Sequence, residues 1–234
     1  MEKYTVKIMA IAEEGNHTKT YFLEKPVDLV WEEGAHMHVG LAGFDAGENP
    51  NKEWVRHMSI MTLPKEQRIG FTTRFPAHLS EFKQRLAALQ AGDELVLFKT
   101  GSRMALRREN KPLILLSMGV GIATMRPLVH RFVDDSFNIR GLVNLNVDSS
   151  EQHIFQKELD SLQSSQYHNI WAPSRSAFYE ALEEVAKQAD AYFYVVGSDL
   201  FLRDVILRLR ARQIPIDQII LDKKEMNLPL YFGV

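Results

Sequence analysis

The hydrophobic period of the chain changes once, near Arg103–Pro112 ("RMALRRENKP"). Before this stretch the signals are short and alternate apolar with polar residues, the two-residue period of half-buried strands. "YTVKIMAIAEE" and "TKTYFLEKP" read as antiparallel strands joined at "EGNH"; "HMHVGLAG", "RHMSIMTLP", "RIGFTTRF" and "ELVLFKTG" read as further strands, punctuated by Gly34, Gly47, Pro50, Pro64 and Gly92. One helix interrupts them: "LSEFKQRLAALQAGD" has Phe82, Leu86 and Leu89 at helical spacing, Ser80 as N-cap and Gly92 as stop. After the change, fully apolar strands alternate with helices: "PLILLSM", then a helix from about Ala123; "IRGLVNLNV", then "SEQHIFQKELDSLQ"; "YHNIWAP", then "SAFYEALEEVAKQA"; "AYFYVVG", then "LFLRDVILRLRARQ"; and a last strand in "IDQIILDK". The first half predicts a small antiparallel β-barrel over 1–107. The second predicts an α/β domain over 108–234, a doubly wound parallel sheet covered on both faces.

The 234 residues suffice for two such cores. A formal charge of −2 argues against a nucleic-acid binder. Without cysteine the chain has no thiol nucleophile, disulfide or cysteine-held iron–sulfur cluster. No opening segment has the basic-then-apolar pattern of a secretory signal, and no apolar run reaches membrane-spanning length, so a cytoplasmic protein without a membrane span is expected. The eight histidines show no metal spacing; His36 and His38 alternate on one strand with no third ligand in sight.

Chemistry is expected where strands end in glycine. In "LLSMGVGIATM", Gly119 and Gly121 follow the first strand of the parallel sheet and precede a helix. Helix N-termini offer unpaired amides to a phosphate, and glycine lets a ligand approach the backbone. The same residues also suit a ligand-free tight turn. "YVVGSDLFLRD" repeats the arrangement at Gly197, with Ser198 or Asp199 as cap. In the barrel half, "RHMSI" puts Arg56 and Met58 on one strand face and His57 and Ser59 on the other. Arg56 suits a phosphate clamp or a solvated rim; Ser80 suits a phosphate turn or a plain helix cap.

In this order the motifs resemble the ferredoxin–NADP reductase family over nearly the whole chain. "WEEGAHMHV" is similar to the family's segment before the flavin-binding strand, "RHMSI" to its Arg–x–Tyr–Ser motif and "AHLSEF" to its Gly–x–x–Ser phosphate turn. "GDELVLFKTGSRMAL" resembles the Gly–Asp strand that ends the barrel, "MGVGIATM" the pyridine-nucleotide loop and "VVGSDLFLRD" the Cys–Gly–Pro segment. The resemblance implies bound FAD, with FMN as the alternative, and NADPH or NADH as reductant. It places Arg56 at the flavin phosphate and Ser59 by flavin N5, the one position with a catalytic role. His57, Met58, Thr72, Thr73 and Leu79 would flank the flavin, and Ser80 would meet its phosphate or pyrophosphate. Gly119, Gly121 and Thr124 would shape the nicotinamide nucleotide site, with Gly197 and Asp199 across the crevice. Ser174 and Arg175 resemble the pair that holds a 2′-phosphate in plant-type members, with Tyr179 against adenine, and this tips the balance to NADPH; Asp148 in "NVDSSEQ" is instead suited to ribose hydroxyls and repels a 2′-phosphate. Tyr231, in "LPLYFGV", would cover the flavin or belong to a tail docked on the core. Departures include Met58 for the family's tyrosine, Val196 for its cysteine, Thr124 for proline, Ala77 for glycine and Met118 for the first loop glycine. The implied reaction carries hydride from NAD(P)H to flavin, then electrons to a separate acceptor such as ferredoxin, flavodoxin or a small molecule. A non-catalytic flavin- or nucleotide-binding module and a free-flavin reductase are the alternatives.

Overall fold

A computed structural model describes residues 2–150 and 152–233. The chain forms two compact units, 1–102 and 103–234. The first holds strands β1 (Lys3–Gly15), β2 (Thr18–Glu24), β3 (Ala35–Leu41), β4 (Val55–Ser59), β5 (Arg68–Arg74) and β6 (Glu94–Ser102), with helix α1 (Glu81–Ala88) between the last two. The hairpin between β1 and β2 turns on Asn16 and His17, both at positive φ (46° and 53°), the mirror-image turn whose twist suits a hairpin.

These strands form one antiparallel sheet in the order β4-β3-β6-β1-β2-β5. The edge strands β4 and β5 are consecutive in the chain. Just past β4, the Met61 N–H donates to the Gly70 carbonyl at 2.8 Å, so the two edges meet and the sheet curls into a barrel. A Cβ on Gly70 would lie 2.6 Å from Met61 Sδ, which explains the glycine at this crossing. Alternate residues point inward: Met37 and Val39 of β3, Leu95 and Leu97 of β6, Phe71 of β5 and Tyr21 of β2 reach no solvent. Helix α1 adds Phe82 and Leu86, and the Tyr21 hydroxyl donates to the Leu86 carbonyl at 3.0 Å.

The second unit alternates β7 (Lys111–Met118), α2 (Ile122–Asp134), β8 (Ile139–Val147), α3 (Gln156–Asp160), β9 (Tyr167–Ala172), α4 (Arg175–Val185), β10 (Tyr192–Val196), α5 (Asp199–Ala211), β11 (Ile219–Leu221) and α6 (Pro229–Phe232). Its sheet is parallel throughout, in the order β11-β10-β7-β8-β9. Leu113 to Leu116 of β7 are fully buried, alternately meeting two cores. One contains Phe178 and Leu182 of α4 with Phe201 and Val205 of α5. The other contains Met125, Leu128 and Phe132 of α2 with Leu159 of α3. Met104 and Leu106 pack into this second core.

Two elements are shorter than the periodicity predicts. The helix expected over "SEQHIFQKELDSLQ" is cut to α3. His153 Nδ1 is hydrogen-bonded to Asn146 Oδ1 at 3.0 Å, and Phe155 takes a left-handed conformation (φ 60°), so the helix starts only after it. The last strand is three residues long because Ile216–Gln218 turns as a 3₁₀ helix. There Gln218 donates its amide to the carbonyls of Ala189 and Ala191 at 3.1 and 2.8 Å.

The apolar packing of α2 and α3 is joined by an ion pair that periodicity does not reveal. Arg126, 8% exposed at its side chain, donates from Nε and Nη2 to the two Glu158 oxygens at 3.0 and 2.5 Å, and His130 Nε2 lies 2.9 Å from the same carboxylate. Burial pushes the Glu158 carboxyl up, but hydrogen bonds from His130 and Arg126 and the arginine charge outweigh it and hold it at about 2. A carboxyl depressed in the folded state stabilises above its unfolded pKa. That contribution is therefore expected to fade as pH falls from about 4.5 towards 2. Glu158→Gln takes the charge out of this two-oxygen pairing with Arg126 and is expected to cost about 2 kcal/mol at pH 7, with a smaller difference from the parent at pH 3, checked by urea denaturation.

Candidate functional site

Strand order reverses at β7: the chain moves outward through β8 and β9, then returns to place β10 on the other side. The loops after β7 and β10 therefore diverge from adjacent strand ends and leave a crevice, where open α/β sheets bind ligands. Gly119 is in the left-handed region (φ 55°) and opens a 3₁₀ turn, Gly119–Gly121, that runs into α2. Gly121 lies so close to β10 that a Cβ would meet the Val196 carbonyl at 3.0 Å and Val196 Cγ1 at 3.1 Å. A Cβ on Gly197 would meet Phe201 at 2.4 Å. Gly121 thus permits the β7 loop to approach the end of β10, and Gly197 permits α5 to fold closely onto its own strand end. Thr124 is buried in the first turn of α2.

A residue not anticipated from sequence supports this loop. Asn146 of β8 donates to Ser117 Oγ at 2.8 Å and to the Gly119 carbonyl at 3.4 Å, while its carbonyl oxygen meets His153. The signal was present in "NLNV": Asn144 and Asn146 are polar residues in a strand that is otherwise a buried apolar run.

The mouth of the crevice carries charge. Arg175, at the start of α4, is half exposed, with its guanidinium 3.6 Å from the Asp204 carboxylate and 3.5 Å from Met118 Sδ. Tyr179 donates its hydroxyl to Asp204 at 3.1 Å, and Arg208 lies over the Tyr179 ring at 4.0 Å. Ser174 accepts the Ala177 amide and caps α4; its hydroxyl is therefore already engaged by the helix. Asp148 is buried and accepts the Ser150 amide at 3.0 Å. Asp199 accepts from Lys223 at 2.9 Å and from the Tyr231 hydroxyl at 2.8 Å, and these bonds hold its carboxyl below the usual range. Tyr231 packs with Phe232 against the core of the second unit.

In the first unit a positive cluster surrounds the start of α1. Ser80 occupies the N-cap position, but its side chain accepts no amide hydrogen among the described residues, unlike Ser174 and Ser198, which cap α4 and α5. The Arg56 guanidinium lies 5.5 Å over Phe82 in the first turn of α1, and Lys83 donates to the Arg74 carbonyl. Burial first, then the charges of Arg56 and Arg74, push the Lys83 ammonium down. Arg56, which also faces Glu53 at 3.7 Å, and Arg74 bring positive charge to Lys83 at an uncapped helix start, a setting that fits a phosphate. Arg74 and Lys83 were missed in the sequence; Lys83, two residues into the predicted helix, was the available signal.

The other barrel residues are placed as follows. Met58 packs on the barrel core. Ser59 pairs with His36 across the β3–β4 ladder, and the His57 ring lies between those of His36 and His38, at 4.3 and 5.6 Å. Thr72 shares a 2.8 Å hydrogen bond with Thr20, and Thr73 pairs with Lys19 in the ladder. The Leu79 carbonyl accepts from Gln84 at 3.1 Å. Among the described residues no group of three or more His, Cys, Asp or Glu could hold a metal ion, and no helix is long and apolar enough to cross a membrane.

No family model matches this sequence, and no curated protein matches it. Solved structures do. A ferredoxin NADP+ reductase from Neisseria gonorrhoeae with bound FAD and NADP is similar over 95% of this chain and 98% of its own, at 13% identity and a TM-score of 0.77. A mutant ferredoxin-NADP+ reductase from Plasmodium falciparum with 2′P-AMP is similar over 94% and 96%, at 11% identity and a TM-score of 0.75. A flavohemoglobin from Malassezia yamatoensis with bound FAD and heme is similar over 95% of this chain but only 60% of its own length, at 12% identity and a TM-score of 0.74. The chain has the two-domain fold of these reductases: an antiparallel six-stranded barrel followed by a five-stranded parallel sheet with helices.

The different use of the three serines has a measurable consequence. Ser198→Ala is expected to lower stability by about 1 kcal/mol through loss of the cap, and Ser80→Ala by far less, in parallel thermal or urea melts.

Proposed function

We propose that the chain is an NAD(P)H-dependent flavoprotein oxidoreductase that passes electrons to a separate acceptor, of the ferredoxin or flavodoxin type or a small molecule. The observation that carries this reading is the pairing, in one chain of reductase fold, of two phosphate-ready places. One is the cationic start of α1 in the barrel; the other is the glycine crevice at the reversal of the parallel sheet.

The residues fit the groups. Arg56, Arg74 and Lys83 would hold the flavin phosphate, with the Ser80 hydroxyl and the first amides of α1 as further donors. FAD is the occupant named for the similar bacterial reductase, and it is the flavin proposed here. Bound flavin supplies the chemistry of accepting a hydride from reduced nicotinamide and releasing electrons singly or in pairs. Ser59, at the end of β4, is assigned the hydrogen bond to the flavin ring. In the second unit, the backbone at Gly119 and Gly121 admits the nucleotide without a side chain in the way, and Asn146 fixes that backbone. Arg175 is assigned the 2′-phosphate, which favours NADPH over NADH; a phosphate there would take the place of the Asp204 carboxylate at the guanidinium.

Purified protein is expected to be yellow and to bleach anaerobically with NADPH. Yellow protein that neither nicotinamide nucleotide bleaches would mark a binding module, and colourless protein that oxidises NAD(P)H only with added flavin a free-flavin reductase. Arg175→Ala should raise KM for NADPH at least tenfold more than KM for NADH in steady-state assays, the loss of roughly one charge-assisted phosphate contact; equal changes would remove Arg175 from this role.

A further inference from the structure

Two arginine–carboxylate pairs in the second unit differ in kind. Arg126 is buried and reaches both Glu158 oxygens with two nitrogens. Arg175 is half exposed, and its Nη1 lies 3.6 Å from one oxygen of Asp204, a charge contact too long for a hydrogen bond. That same oxygen accepts the Tyr179 hydroxyl at 3.1 Å. An exposed, loose pair contributes little to the stability of a fold. Its consequence is local: it decides which charges stand open at the mouth of the crevice.

Two helices supply those charges. Arg175 and Tyr179 lie one turn apart on α4, and Asp204 and Arg208 one turn apart on α5. Arg208 lies over the Tyr179 ring at 4.0 Å. It comes only within 3.9 Å of Glu183, a carboxylate that Arg212 takes with two nitrogens. Arg175, Arg208 and Arg212 thus stand against Asp204 and Glu183, which leaves positive charge in excess. Burial first, then the hydrogen bond to Asp204, push the Tyr179 hydroxyl up, so it keeps its proton as a donor. The Asp204 carboxylate is the anion that this setting already holds.

We propose that Asp204 is a specificity-determining residue of the nucleotide site: a built-in anion in the place of a 2′-phosphate, which holds down affinity for a nucleotide carrying that phosphate and leaves one without it unaffected. The inference rests on the assignment of the 2′-phosphate to Arg175 and extends it to a residue of another helix. A phosphate offers three oxygens, so it can take the guanidinium bidentately and accept the Tyr179 hydroxyl as well. To do so it must displace Asp204, whose charge then opposes the newcomer. A ribose with free hydroxyls leaves the Arg175–Asp204 pair as it stands. The preference for NADPH is therefore narrower than Arg175 alone would give, and one carboxylate sets its width.

The test uses the full chain with FAD in excess. Its probes are adenosine 2′,5′-bisphosphate and AMP, which differ only in the 2′-phosphate, and binding is measured by calorimetry at low salt. Asp204→Asn removes the charge and keeps an oxygen for the Tyr179 hydroxyl. It is expected to tighten the bisphosphate about fivefold while AMP stays within twofold. A gain in affinity cannot come from a damaged fold. The gain should shrink when Arg175→Ala is added, because the carboxylate then has no guanidinium to occupy; an undiminished gain would mean bare repulsion and overturns the proposal. Unchanged bisphosphate affinity in Asp204→Asn, with Arg175→Ala still weakening it, also overturns the proposal and leaves the role of Arg175 standing. If Arg175→Ala leaves the bisphosphate unchanged, or if the parent binds neither probe at millimolar concentration, both readings fall.

Discussion

Strand β7 is hydrogen-bonded on both sides, to β8 and to β10, and covered on both faces, so Leu113 to Leu116 reach no water. The chain cannot continue from its end in the plane of the sheet. It must leave through a turn tight enough for a helix to fold back, and β10 must later end beside that turn. Gly121 against the Val196 carbonyl is the contact this imposes. Everything at the crevice depends on it: the left-handed Gly119, the support from Asn146, and the approach of α4 and α5 that brings Arg175, Asp204 and Tyr179 together.

Three helix starts in the molecule share the same small hydroxyl residue and differ in what it does. At α4 and α5 the serine satisfies a backbone amide of its own helix, and the start is electrostatically closed. At α1 the serine makes no such bond, and three cations gather instead. The charges of Arg56 and Arg74 bear unfavourably on Lys83, and an anion placed there would be drawn by all three.

Most of the architecture was legible because it is written in period. Two-residue alternation marked all six barrel strands, and apolar runs alternating with helical spacing marked the parallel ones, since burial on one or both faces selects those patterns directly. The hairpin at Asn16–His17 was legible as the "EGNH" break between two alternating runs, and the structure adds the positive φ values that turn it. What stayed hidden depends on neighbours distant in sequence. The shortened α3 follows from a bond between His153 and Asn146, and the Arg126–Glu158 pair from two helices meeting. At the candidate sites the glycines and Arg56 could be named from sequence, but Arg74, Lys83 and Asn146 acquire meaning only once strands bring them beside a helix start or a loop. Ser174 shows the converse: sequence offered it to a ligand, and the helix has claimed its hydroxyl.

Helix α2 contains Pro127, six residues beyond the Gly121 that begins it. Proline has no amide hydrogen, so the Ala123 carbonyl, four residues earlier, loses its usual helical donor. The opening turn is thereby tethered to the body of the helix by one fewer rung than in an uninterrupted helix. The amides of this turn are the ones that face the crevice end of β7. Ile122 and Met125 are fully buried, so packing holds the opening turn in place where the helical ladder is one rung short.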